Sequence, residues 1–500
     1  MLNEKNFPPL ILAAVFSVVV TGCTNQPSRI VYRVPDFSSG KNDLFVIRED
    51  GTHDAVLANS GDDQSACGVT TDRRVVFTRQ APTGGRIYIV SEDGSGSSPL
   101  RATADDETCF GVTGNDMVIF GINRPPVNLV PNHDLYSISA NSSPTATPIA
   151  LAASSADELP VAISWDNRVI FARREAQVNG HWFSFYSIGN DGANMAPLVG
   201  VFEQPTFVAV SPGNRMLFSV PMSSTLGPPD TYEVLGSVTT SLPRLSSGLN
   251  QFLHYIHPVG DRFCAFTLSG RTLLTSRSFG QVDGQDTFNG AIYSMNDDGT
   301  NVVLINPGPR HFNEICLAGH DDWIIVGRYA DNISEPWNNR DPASLWSYPA
   351  SGAGGPIQLA ATPVWFQGLT PYGRVLFLKG DQAANMLVLQ SIAADGTDLQ
   401  TLATFPLATS SASVATFTSL SFTTSIDRVV LEVFDHGSLE YLGIVPSQAQ
   451  TPLAPLTTRP GVPSFVYYID GASGRATRCR FCVLGTDRGG SPLPVGSPFP

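Results

Sequence analysis

Residues 77–103 read FTRQAPTGGRIYIVSEDGSGSSPLRAT. An apolar strand ends at Phe77. A polar loop leads into RIYIV (86–90), and the chain then turns at Asp93-Gly94 before a weaker closing stretch. Short runs rich in Val, Ile, Phe and Tyr, bounded by Gly and Asp, are strand signals. Asp-Gly suits a tight hairpin because Gly, and Asp more readily than most residues, accept positive φ. The stretch therefore predicts part of a four-stranded unit, with the Asp-Gly turn reversing the chain from its third strand to its fourth.

The same phrases recur. Asp-Gly turns appear in REDGTH (48–53), GNDGAN (189–194), SMNDDGTN (294–301) and AADGTD (393–398). A second phrase is a polar turn, often Arg, then a short apolar strand. It is read in TDRRVVFTR (71–79), GNDMVIFGI (114–122), WDNRVIFAR (165–173), GNRMLFSV (213–220) and GDRFCAFTL (260–268). It returns in HDDWIIVGR (320–328), YGRVLFLKG (372–380) and IDRVVLEVF (426–434), with an opening copy, RIVYRV, at 29–34. Aligned on the third apolar residue, the copies fall at Tyr32, Phe77, Phe120, Phe171, Phe218, Phe266, Val326, Phe377 and Leu431. A repeat of this length marks units that cannot bury their faces alone and must stack. No run beyond the N-terminal segment keeps a helical period. The expected fold is all-β: a β-propeller of about eight or nine four-stranded blades over residues 29–500, with two smaller propellers as the alternative. The first unit lacks a leading strand, and PSFVYYID (463–470) is expected to supply it and lock the ring.

Residues 77–103 resemble the repeat of TolB-type propellers: an apolar strand, a variable loop, Ile-Tyr, then Asp-Gly and a Leu-Thr strand. GAIYSMNDDGTNVVLI (290–305) matches equally well. The resemblance covers about residues 29–445. It implies the propeller fold and not TolB's own role, since no N-terminal α/β domain like that of TolB precedes these repeats.

The start of the chain reads differently. Lys5 precedes an apolar run, Leu10–Val20. The run is short of the ~20 residues that span a bilayer, and fits the core of a signal peptide. Val20-Thr21-Gly22-Cys23 resembles the bacterial lipobox, with Val for the usual Leu and Thr21 for Ser or Ala. The resemblance implies that residues 1–22 are a lipoprotein signal peptide and that Cys23 is diacylated by palmitate-class chains. Residues 23–28 then form a lipidated tether. Paired acyl chains give stable membrane attachment. Thr24, rather than Asp, favours the outer membrane by resemblance to enterobacterial sorting.

Composition narrows the partners. A net charge of −14 argues against nucleic acid, which needs a basic footprint, and against direct binding of anionic headgroups; it reads as solubility. With 45 Gly, 38 Pro and only 15% charged residues, the chain is expected to be rich in turns and poor in long helices.

Six cysteines remain besides Cys23. Cys67, Cys109 and Cys316 hold one repeat position. A Cys67–Cys109 disulfide requires Cα atoms about 4.4–6.8 Å apart, reached by neighbouring units only near the axis. Cys316 and Cys264, in adjacent units, are a second candidate pair; the alternative is that these are small buried core residues. Cys479 and Cys482 form a Cys-x-x-Cys pair in a strand-like context. A structural zinc site wants four ligands and a redox motif wants a helix N-terminus, so a structural disulfide is expected. His254 and His257 would point to opposite faces of a strand; with His311 and His320 they read as pocket or surface histidines, and no metal site is expected. Asn296-Asp297-Asp298-Gly299 offers oxygen ligands for Ca²⁺ without the full loop spacing, so a plain turn is expected and no cofactor. No Gly-x-Ser-x-Gly elbow occurs. Oligogalacturonate lyases are TolB-like propellers with a His-rich metal site, and no matching motif is found. The expected function is a lipid-anchored binding or scaffold module for a protein or glycan at the cell envelope. The alternative is a polysaccharide-active enzyme, like oligogalacturonate lyase, using the channel face. Trp182 and Trp337 either form an exposed binding patch or pack beneath their own loops.

Overall fold

The structure, a computed structural model, describes strands and turns between residues 29 and 477. The described stretches are longest over 51–127, 130–164 and 180–203, with shorter segments elsewhere; residues 1–28 and 478–500 lie outside them. The described strands form nine antiparallel sheets, labelled A to I in chain order. B spans 63–99, C 106–152, D 157–203, E 206–234, F 257–306, G 313–360, H 364–406 and I 420–455. Seven of these have four strands laid side by side in chain order, and E has three described strands. Sheet A is made from both ends. Arg29–Asp36, Lys41–Arg48 and Ala55–Ala58 are joined by Ser464–Ile469, which pairs antiparallel with Arg29–Asp36 and places Tyr468 opposite Ile30. The segment PSFVYYID thus supplies the first sheet's leading strand.

Neighbouring sheets pack face to face. Val31, Val46 and Phe77 share the core between A and B, and Val76, Ile87 and Phe120 that between B and C. Ile119, Leu135 and Phe171 fill the space between C and D. Leu273, Ile292 and Val326 join F to G, and Ile325, Leu345 and Phe377 join G to H. Successive strand residues point to opposite faces, so Val76 and Phe77 serve different neighbours, as do Ile119 and Phe120. Consecutive four-stranded meanders stacked in this way are the blades of a β-propeller. The repeated aromatics form pairs directly across the second and third strands: Tyr32–Phe45, Phe77–Tyr88, Phe120–Tyr136 and Phe171–Tyr186. They stack with ring centroids 5.5, 5.6, 5.8 and 5.4 Å apart. Each such pair adds about 0.5–1.5 kcal/mol beyond area burial.

One unit departs from the sequence reading. GDRFCAFTL was expected to be a second strand aligned on Phe266, but His257–Phe266 is the first strand of F, and the second is Arg271–Val282. Leu274 takes the aligned place, opposite Tyr293. The reason lies in the turn. In B, C, D and F the residue four before the second strand is Thr70, Thr113, Ser164 or Thr267, and its N–H donates to the strand's first carbonyl at 2.8–2.9 Å. In each case its hydroxyl accepts from that strand's first N–H at 3.0 Å. GDR has Pro258 at that place.

The Asp-Gly turns also differ in detail from expectation. Gly94 N donates to Ser91 O (2.9 Å) and Ser91 N to Ser95 O (3.0 Å). This is the three-residue hairpin loop with one left-handed residue. Gly51, Gly94, Gly192 and Gly396 take that place at φ 78°, 84°, 79° and 81°, whereas Asp93, Asp191 and Asp395 do not take positive φ. The Asp works through its carboxylate instead. Asp93, Asp191 and Asp395 each accept from the N–H two residues on, all at 2.9 Å, as short polar side chains do in turns. The glycine has a second duty. A Cβ on Gly94 would lie 2.4 Å from Val56 O of sheet A, and one on Gly396 2.7 Å from Ile357 Cγ2 of sheet G. The turn of one sheet seats against the outer strand of the sheet before it.

The phrase arginine ties the two turns of a sheet together. Arg168, Arg271 and Arg374 reach the third strand's serines, Ser187 (3.0 Å), Ser294 (2.5 Å) and Ser391 (3.1 Å), all fully buried. Each goes on to a carbonyl beyond the Asp-Gly turn: Asn194 (2.6 Å), Asn301 (3.0 Å) or Asp398 (2.6 Å). Between sheets, Asp116 accepts from Thr71 N at 2.7 Å, Asn167 from Gly114 N at 2.7 Å, and Asp322 from Ser269 N at 3.1 Å.

Three outcomes follow from these contacts. Phe120→Ala, at a fully buried stacked site, should lower unfolding free energy by about 3–5 kcal/mol in denaturant titration. Gly396→Ala should cost more than the ~1 kcal/mol of a left-handed alanine, because the outer strand of G blocks the methyl group. The third concerns acid. Hydrogen bonds from Ser95 and Thr397 hold Asp93 and Asp395 below the usual carboxylate range. A depressed folded pKa contributes stability above the unfolded value, and that contribution is lost as pH falls through the folded pKa. The double variant Asp93→Asn, Asp395→Asn keeps the acceptors but does not titrate there. Its melting temperature should lie below that of the parent at pH 7, and the gap should close below about pH 4.

Candidate functional site

The blades have two rims. One carries the turns described above and is stitched from sheet to sheet. The other carries the hairpins between second and third strands, together with the links from each sheet to the next. Acidic residues cluster at this second rim, where first strands begin: Asp62-Asp63-Gln64 in B, Asp105-Asp106-Glu107 in C and Ala156-Asp157-Glu158 in D.

The middle residue of each triplet caps the sheet before it. Asp63 accepts from Asn42 N (2.9 Å) and Nδ2 (2.8 Å). Asp106 accepts from Gly85 N (2.6 Å) and Asn123 Nδ2 (2.7 Å). Asp157 accepts from His133 N (3.2 Å) and meets its Nδ1 at 2.5 Å. These amides begin or lie near the start of third strands, so each Asp bridges two blades.

The third residue of each triplet is buried: Gln64 and Glu107 are 1% exposed and Glu158 is 0%. Glu107 pairs with Arg101, accepts from Thr103 at 3.1 Å and from Ile87 N at 3.4 Å. Glu158 accepts from Ser154 at 2.5 Å and from Arg173 Nε at 3.2 Å. Burial pushes both carboxyls above the ordinary glutamate range, against the pull of Arg101 and of Ser154 and Arg173. Arginines stack on the aromatic pairs beneath: Arg79 lies 5.7 Å from the Tyr88 centroid, Arg101 5.4 Å from Phe120 and Arg173 4.9 Å from Tyr186. Each has a carboxylate as well, Arg79 through Asp62 at 2.7 Å. Arg124 reaches Asp134 (2.9 Å) and Tyr136 Oη (3.3 Å), and these bonds hold it charged. Arg101–Glu107 ties the link after B to the first strand of C, while Arg79–Asp62, Arg124–Asp134 and Arg173–Glu158 brace single blades at the rim.

What projects beyond this layer is backbone. In B the second and third strands have eight residues each. In C they run Met117–Val127 and Val130–Ser139, in D Arg168–Gln177 and Gly180–Gly189, and in F Arg271–Val282 and Gln285–Asn296. Two to four extra residues per strand extend these hairpins by roughly 7–13 Å at the usual rise. In D and F the pairing is unbroken to the ends, Gln177 opposite Gly180 and Val282 opposite Gln285, while in C the register shifts between Val130 and Asn132.

The structure joins Cys67 to Cys109 by a disulfide with Cα atoms 6.0 Å apart. The bridge links the first strands of B and C. Cys264 and Cys316 lie on the first strands of F and G. Cys23, Cys479, Cys482, His254, His311, His320, Trp337 and Asp297–Gly299 lie outside the described residues, while Asn296 ends the third strand of F, His257 opens its first, and Trp182 sits on the third strand of D. Among the described residues no group of three His, Cys, Asp or Glu stands together in a way that could hold a metal ion. The acidic triplets and the serine partners of the arginines went unremarked in the sequence. Their signal was there in the x-Asp-[Gln/Glu] start of three first strands.

No family model matches the chain, and no curated protein matches it by sequence. Among solved structures it is similar to the β-propeller domain of the Trilobed protease from Pyrococcus furiosus, at 10% identity over 66% of this chain and 91% of that one, with a TM-score of 0.33. It is similar to an oligogalacturonate lyase in complex with manganese, at 9% identity over 71% and 94%, TM-score 0.36. It is also similar to TolB from Acinetobacter baumannii, at 10% identity over 75% and 64%, TM-score 0.27. The fold rests on the sheet order and the cores between sheets, not on these likenesses.

Proposed function

We propose that this chain is a TolB-like β-propeller of nine blades in one ring, anchored to the bacterial outer membrane by a lipid on Cys23. Its role is that of a binding or scaffold module for a protein or glycan of the cell envelope. Nine described sheets in chain order, with the first completed by Ser464–Ile469, support the single ring. The observation that carries the binding role is the division of labour at the second rim. The buried charges there serve one another and the blade joints, while the hairpins of C, D and F rise past them. Projecting hairpins on a rigid ring are suited to partner recognition.

The test is affinity capture from envelope extract, scored for proteins and glycans. It compares the full chain with a variant whose C, D and F hairpins are cut to the length of B's. Capture that survives the shortening would overturn the role given to these hairpins. The anchor is tested separately: Cys23→Ser should abolish acylation and release the chain from the membrane, and continued membrane association without acyl mass refutes it.

A second reading keeps the enzyme. Glu107 and Glu158 hold equivalent places in adjacent blades, and burial pushes each carboxyl above the ordinary glutamate range, as the general acid of glycan cleavage requires. Depolymerisation of an envelope or plant-type polysaccharide, lost in a folded Glu158→Gln variant, would favour it.

A further inference from the structure

The two inter-blade cysteine pairs can be compared by strand register. In B the first strand bulges at Cys67: Ala66 lies opposite Phe77, Gly68 opposite Val76, and Cys67 between them has no partner across the strand. In F the first strand bulges at Cys264 in the same way, with Phe263 opposite Leu274 and Ala265 opposite Leu273. Leu274 is F's counterpart of Phe77, since it faces Tyr293 as Phe77 faces Tyr88. The partners also correspond. Cys109 lies opposite Phe120 in C, and Phe120 opposite Tyr136. Cys316 lies opposite Val326 in G, and Val326 opposite Trp346.

The faces agree as well. Val76, beside the Cys67 bulge, and Phe120, opposite Cys109, belong to the core shared by B and C. Leu273, beside the Cys264 bulge, and Val326, opposite Cys316, belong to the core shared by F and G. The first strands of B and C touch each other, as do those of F and G. One difference exists: the bulge in the first strand of G precedes Cys316, between Asn313 and Ile315, whereas that in C follows Cys109. It leaves the Cys316–Val326 pairing intact.

Since the Cys67–Cys109 register closes a disulfide, we infer that Cys264 and Cys316 form a second inter-blade disulfide, joining F to G as the first joins B to C. The two thiols lose two protons and two electrons to a thiol–disulfide donor of an oxidising compartment, which leaves as its dithiol. The two bridges then clamp two separate blade joints next to the axis. The inference is independent of the binding role.

The experiment is disulfide mapping of the full chain, purified from the envelope fraction with free thiols blocked by N-ethylmaleimide. Non-reducing digestion should release the Cys264 peptide covalently linked to the Cys316 peptide, two hydrogens lighter than their sum, alongside the Cys67–Cys109 pair. Recovery of Cys264 and Cys316 as blocked thiols, in material where Cys67 and Cys109 are bridged, overturns the proposal. So does a link from either one to Cys479 or Cys482. Cys264→Ser should make Cys316 fully alkylatable and lower the melting temperature about as much as Cys67→Ser. A double Cys479→Ser, Cys482→Ser variant should leave the 264–316 link unchanged, and loss of the link in that variant also counts against it.

Discussion

Sheets B, C and G are apolar on both faces, and neither face can be left in water. That requirement orders everything else. Val76 and Phe77 are neighbours in one strand yet belong to two cores, and Ile119 with Phe120, and Ile325 with Val326, repeat the arrangement. Each apolar square ångström covered is worth about 25 cal/mol, but a blade collects this on both sides only when both neighbours are present. Stability is therefore a property of joints between units as much as of units.

The polar residues follow the same logic. A four-stranded meander leaves turn amides and strand-end amides along its rims, exposed on one rim and part-buried on the other. Asp116 and Asn167 accept such amides on one rim, and Asp63, Asp106 and Asp157 on the other. In every case the acceptor comes from the next blade along. The joints are thus specified by hydrogen bonds as well as by apolar contact, which fixes the height of one blade against another. With the repeat's own polar groups engaged in this way, individuality resides in what exceeds the repeat, above all the lengthened hairpins.

Legibility in the sequence tracked local physics. Second and third strands were readable because they are short, apolar and regular, and the Asp-Gly turns because glycine's left-handed conformation is a local demand. The role of the aspartate was misassigned, since its value lies in an acceptor for Ser95 or Thr397 and not in its own φ. First strands were hard to read because bulges interrupt their alternation, as at Cys67 and Cys264. That is why 260–268 reads as a second strand in the sequence; a hydroxyl four residues ahead of the strand separates the two kinds. The buried serines under Arg168, Arg271 and Arg374 were invisible because cross-strand partnership depends on register. The burial of Gln64, Glu107 and Glu158 in the acidic triplets was not legible, since it arises only from packing in the folded sheets. The projecting hairpins depend on register too, and length alone did not announce them.

The mixed origin of sheet A sets a timetable for synthesis. While the chain is still on the ribosome, Arg29–Asp36 emerges long before its pairing partner, Ser464–Ile469. Until then a row of backbone donors and acceptors stands open, the kind of template on which foreign strands add. Bringing two such distant segments together is entropically costly and slow. A nascent molecule would thus carry one adhesive flank until Ser464–Ile469 is made and pairs with it.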